Sequence, residues 1–109
     1  MRIISTKENG NLSIFLEGEL DHHAAKGAIS RIANLIDVEL PLNVTLNLKG
    51  LSFMDSSGVA VILRIHKRML VLGGRLAVID PAPQPLRVLD ASGVDRLVRV
   101  VSTAKESVV

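Results

Sequence analysis

Four consecutive residues, Asp55-Ser56-Ser57-Gly58, put a carboxylate beside two hydroxyls where the chain passes from an extended run into a helical one. The start of a helix carries backbone N–H groups with no partner inside the helix, and the aligned peptide dipoles add a partial positive charge. A hydroxyl held there is close to donors that accommodate an added phosphate. Phosphorylation brings about −1.5 to −2 charges at neutral pH. The helix end accepts that charge, whereas a partner surface packed over it does not. A modified serine at this corner is therefore expected to change binding and leave folding intact. Asp55 or Ser56 can also act as a plain N-cap, the commonest use of Asp and Ser at such a place. Physical chemistry alone leaves Ser56 and Ser57 equivalent, because both hydroxyls stand at the helix entrance.

Other chemistry-bearing residues point to less. His22 and His23 follow Asp21, but adjacent residues of a helix project about 100° apart and rarely hold one ion together. His66 stands alone within a later helical run, and no HExxH pattern is present, so no metal site is expected. Ser56, a histidine and an aspartate could compose a hydrolase, yet the G-x-S-x-G elbow is missing. Gly73-Gly74 follows a helical run and reads as its C-terminal cap, not a phosphate cradle. The chain has no cysteine, hence no disulfide, thiol nucleophile or thiolate metal site. Neither an enzyme nor a cofactor is expected.

The 109 residues fit one domain, taken as 1–109, with the polar stretch from Ser102 onward expected to fray. The formal net charge is +2, with acidic and basic residues scattered and no stripe that would track a phosphate backbone. There is no Trp or Tyr and there are only two Phe, Phe15 and Phe53, so a base-stacking platform is not expected. Nucleic acid is not an expected partner. The start Met1 to Lys7 lacks the apolar core of a signal peptide. The longest apolar stretch, Val59 to Leu63, falls far short of the roughly 18 residues a spanning helix needs. No membrane role is expected, and the cytoplasm is the expected location.

The elements that must position the corner follow from pattern. Arg2 to Lys7 and Leu12 to Leu16 are β-like runs joined through Asn9-Gly10, a pair that tolerates positive φ and marks a hairpin. A helix is predicted after Asp21 as N-cap, with Ala25, Ala28, Ile29, Ile32, Ala33 and Ile36 on its apolar stripe. Gly27 weakens it and Pro41 ends it. Val44 to Leu48 alternates as a half-buried strand. A second helix is predicted over Ser57–Leu72; its wide apolar arc implies a helix packed on a sheet with little of it exposed. Arg75 to Ile79 reads as a strand, Pro85 begins a short helix ending near Gly93, and Leu97 to Val101 closes the series. The order ββαβαβαβ predicts an α/β fold, a mixed sheet with an opening hairpin and helices packed on it.

Glu19-Leu20-Asp21-His22-His23, Leu46-Asn47-Leu48 and above all Leu51-Ser52-Phe53-Met54-Asp55-Ser56-Ser57-Gly58 resemble the STAS-domain anti-sigma factor antagonists, over nearly the whole chain. The resemblance implies a single STAS-like domain and a partner-switching cycle. The unphosphorylated antagonist binds an anti-sigma factor that is also a serine kinase, and the sigma factor is freed. Phosphorylation of the serine directly after the aspartate, here Ser56, releases the complex, and a serine phosphatase resets it. Partner binding is implied for Asp21, Asp55, Ser56, Ser57 and Gly58. The alternative is a STAS-like scaffold subunit of a transporter or signalling assembly without the phospho-switch. Gly27 and the stretch Pro81-Ala82-Pro83-Gln84-Pro85 depart from the family's pattern and are expected to lie clear of the switch.

Overall fold

Asn9 and Gly10 both take positive φ, 52° and 81°, the backbone of a two-residue hairpin turn whose twist matches the strands it joins. That turn pairs β1 (Arg2–Glu8) with β2 (Asn11–Leu20) in antiparallel register, Glu8 opposite Asn11 and Arg2 opposite Glu17. The computed structural model describes residues 1–103. Beyond the hairpin come α1 (His22–Glu39), β3 (Asn43–Asn47), β4 (Leu51–Met54), α2 (Ser56–Val71), β5 (Arg75–Ile79) and α3 (Pro83–Ser92). A 3-10 turn (Val94–Arg96) and β6 (Arg99–Val101) complete the order.

The sheet runs β1-β2-β3-β5-β6, with β4 paired to β2 off that path. Every pairing except β1–β2 is parallel, so the mixed sheet expected from the element order is present. Its register lines up apolar rows across three strands: Leu12, Val44 and Leu76, then Ile14, Leu46 and Val78. All six are buried. Onto this face pack Ala25, Ala28, Ile32 and Ile36 of α1 and Val61, Ile62, Ile65 and Met69 of α2. Residues in between, such as Ser13, Thr45 and Ala77, lie half-buried on the other face, and the Thr45 hydroxyl donates to the Ser13 hydroxyl at 3.3 Å.

Several elements differ from their sequence expectation. Leu51 to Met54, to which the sequence pattern assigned no element, is a strand: Leu51 and Met54 are buried and Ser52 and Phe53 exposed, a run too short to show alternation. β2 continues through Gly18 to Leu20 because the register shifts between Gly18 and Glu19, which lets the strand pair β4 beyond its pairing with β3. The last strand begins at Arg99; Leu97 follows the 3-10 turn and is exposed. The end of α2 is also less covered than its apolar arc implied. Leu70 and Val71, the latter 83% exposed, turn away from the sheet with Leu72. Gly73 does take the left-handed conformation after the helix, and the Gly74 amide donates back to Met69 at 2.8 Å. At the start of the stretch expected to fray, the Thr103 amide donates to the Asp80 carboxylate at 2.7 Å; the rest, 104–109, lies outside the described residues.

Parallel strands leave the sheet at one edge, and a helix follows each of β2, β4 and β5. The N-termini of α1, α2 and α3 therefore open at the carboxyl edge of the strands, the usual place for recognition in α/β folds.

Candidate functional site

Leu20 and Met54 are paired neighbours at the ends of β2 and β4. Asp21 and Asp55 come next, so the sheet brings two carboxylates from distant parts of the chain to equivalent positions. Each caps the helix after it. The Ala24 amide donates to Asp21 Oδ1 at 2.9 Å, and the Ser57 amide donates to Asp55 Oδ1 at 2.8 Å. Both caps have the extended backbone typical of the position, with φ of −97° and −111°. The Asp55 amide in turn reaches the Leu20 carbonyl at 3.4 Å, locking the two helix starts together.

The Ala24 amide, helped by the nearby His23, holds the Asp21 carboxyl below the usual carboxylate range, against a smaller opposing effect of burial. Asp21 is thus ionised at any pH the cell presents, and the corner carries fixed negative charge on its α1 side. The His22 and His23 rings stand 6.1 Å apart and edge to face, an arrangement of neighbours on a helix. Among the described residues no group of three potential ligands is gathered that could hold a metal ion.

Ser56 and Ser57 are not equivalent once folded. Ser56 is the first residue of α2 and is exposed. Its side opens on a cleft of about 560 Å³ between α2 and α3, with Val59, Gln84, Arg87 and Val88 as walls. Ser57 is half-buried and borders a second cleft of about 450 Å³, between α1 and α2, beside His22, Lys26 and Arg64. Adjacent positions on a helix point about 100° apart, enough to set the two serines beside different clefts.

Gly58 is buried beneath them. A Cβ built there would lie 3.0 Å from Met54 Cβ, 3.1 Å from Met54 Cε and 3.3 Å from Leu20 Cδ2. A methyl would have to push these neighbours aside, so glycine lets α2 sit directly on the ends of β2 and β4. Its contribution to the corner is the close approach that holds the surface residues in place.

One neighbour of the corner was not legible in the sequence. Gln84 accepts from the Met54 amide at 2.9 Å and donates to the Met54 carbonyl at 3.0 Å. The proline-flanked stretch expected to lie clear of the switch therefore touches the strand that leads into it. The reason is topological: α3 starts beside the end of β4, thirty residues away in sequence, and no local pattern announces it. Gly27 is clear of the corner as expected; it is exposed, with nothing within 4 Å of a Cβ built on it.

The chain belongs to the STAS domain family, whose description matches residues 2–107. Within that family it is similar to the anti-sigma F factor antagonist of Paenibacillus polymyxa, 36% identical over 100 residues that cover 92% of this chain and 86% of that protein. The anti-sigma factor antagonist SpoIIAA in its unphosphorylated form has the same fold, with a TM-score of 0.79, 27% identity and coverage of 97% and 93% of the two chains. The Bacillus cell fate determinant SpoIIAA in the phosphorylated form matches with a TM-score of 0.69, 28% identity and coverage of 97% and 96%. No helix among the described residues is long and apolar enough to cross a membrane.

Proposed function

We propose that this chain is an anti-sigma factor antagonist that works by partner switching in the cytoplasm. In its unphosphorylated form it binds an anti-sigma factor that is also a serine kinase, and a sigma factor is released. ATP-dependent phosphorylation of Ser56 ends the binding, and a serine phosphatase restores it. Partner binding is assigned to Asp21, Asp55, Ser56, Ser57 and Gly58, the glycine acting from beneath the surface.

The observation that carries this reading is the placement of Ser56. Its neighbour Asp55 already supplies the cap of α2, so the exposed hydroxyl at the first helical residue is not needed for folding. A phosphate added there meets the positive end of the α2 dipole. Ser57 is the weaker acceptor because it is half-buried and its amide is committed to Asp55. Similarity to a protein with both an unphosphorylated and a phosphorylated form supports a phosphorylation switch, while the choice of Ser56 over Ser57 rests on exposure.

Incubation with the cognate anti-sigma factor and ATP, followed by mass spectrometry, tests the assignment. Phosphate is expected on Ser56, and Ser56→Ala is expected to bind the anti-sigma factor while resisting modification. Phosphate on Ser57, or none on either serine, overturns the reading.

A further inference from the structure

In a parallel ladder the two residues flanking a position on one strand bond to the partner, while that position's own N–H and C=O point the other way. At the end of β4 the Asp55 amide bonds to Leu20, so the N–H and C=O of Met54 face away from β2. Among the described residues no strand pairs β4 on that side. The amide of Gln84 takes the strand's place: its Oε1 accepts the Met54 N–H at 2.9 Å and its Nε2 donates to the Met54 C=O at 3.0 Å. One side chain thus satisfies two backbone groups of a buried residue that would otherwise be orphaned.

The prolines on either side explain how that amide is held. Pro83 and Pro85 lie in the first turn of α3, whose N-cap Ala82 makes no side-chain bond. Proline sets the φ a helix needs and carries no N–H, so two of the usual unpartnered donors of a helix start do not exist here. Gln84 between them is free to bond outward. It also forms part of the wall of the cleft onto which Ser56 opens.

We infer that Gln84 is a positioning residue for the Ser56 switch, its amide clamping the end of β4 to α3 so that a kinase meets Ser56 in one preset geometry. The inference rests on the assignment of Ser56 as the modified residue. Gln84 touches neither phosphate nor ATP in this scheme; it acts through Met54 and Asp55.

Gln84→Met, close in size and without either bond, is compared with Gln84→Glu, which keeps the acceptor and loses the donor. Ile32→Val, which trims the buried face of α1, serves as a control for lost stability alone. Each full-length variant is phosphorylated with the cognate anti-sigma factor kinase and ATP, and amide exchange is followed by NMR. With Gln84→Met, exchange at the Met54 amide is expected to rise about tenfold, the effect of losing one to two such bonds. The kcat/KM for Ser56 is expected to fall about tenfold, mainly through KM, with a smaller loss for Gln84→Glu and none for Ile32→Val. Phosphorylation of Gln84→Met at the wild-type rate overturns the inference, and so does an equal slowing of Ile32→Val. A wild-type protein that takes no phosphate on Ser56 overturns the functional assignment instead, and is told apart from failure of the clamp by that first measurement.

Discussion

Ser56→Asp places a fixed charge where the phosphate would go and so separates folding from binding. Ser56 is exposed at the first residue of α2, where an acidic group gains about 0.3–1 kcal/mol from the helix dipole. Opposing it is the neighbouring Asp55 carboxylate, already bonded to the Ser57 amide at 2.8 Å. Two carboxylates about 6 Å apart in water repel by about 0.7 kcal/mol before salt screening. These effects nearly cancel, so the unfolding free energy is expected to stay within about 0.5 kcal/mol of wild type, a Tm change below about 4 °C for a domain of this size. A phosphate enlarges both effects together and leaves the balance similar. Binding has no such compensation, because a charge buried without a partner under a protein surface costs about 3–5 kcal/mol. The Kd for the anti-sigma factor should then rise by about a hundredfold or more. Thermal unfolding followed by circular dichroism and calorimetric titration with the anti-sigma factor read the two quantities separately. A Tm fall beyond about 8 °C, or an unchanged Kd, would refute the argument that this corner divides fold from binding.

Three further outcomes follow from the same geometry. Gly58→Ala gains about 1 kcal/mol of helix propensity but presses a methyl into Met54 and Leu20, an overpacking that costs about 1–3 kcal/mol. A net loss is expected because the Met54 Cβ, only 3.0 Å away, cannot yield without its backbone; a urea midpoint above that of wild type would contradict it. Asp21 has a depressed folded-state pKa, caused first by the Ala24 amide. Its stabilisation is therefore present above the unfolded carboxyl pKa of about 3.9 and is lost as pH falls through the lower folded value. Wild type should exceed Asp21→Asn in Tm at neutral pH and converge on it in acid, and a gap that persists at the lowest pH where both fold would remove the charged cap from the account. Asp21→Ala should also weaken anti-sigma factor binding beyond what its lower Tm explains, as calorimetry would show.

Much of the corner is local grammar. Asp21 was identifiable as a cap, and the second cap was narrowed to Asp55 or Ser56, because a short polar side chain before a helical run has amides within reach of its own chain; the structure gives the role to Asp55. The strand Arg75–Ile79 lies where its short apolar run, bounded by glycine and proline, placed it. The hairpin came from Asn9-Gly10 for the same reason: positive φ is a property of two adjacent residues. Leu51–Met54 escaped detection because four residues with buried ends and an exposed centre carry no period. Their strand character comes from β2, which supplies the hydrogen bonds.

What the sequence determined by itself is the set of chemical parts and their local roles: a serine after a capping aspartate at a helix start, and a glycine two positions on. These depend on interactions within about one helical turn, which residue order specifies directly. What only the tertiary structure decided is which of these parts face one another. Pairing of Leu20 with Met54 sets Asp21 beside Asp55, and the placement of α3 brings Gln84 to the Met54 backbone. Packing of α1 and α3 on either side of α2 sends Ser57 to one cleft and Ser56 to the other. Those relations span about thirty residues of chain and are set by strand order and burial, to which no single local segment has access.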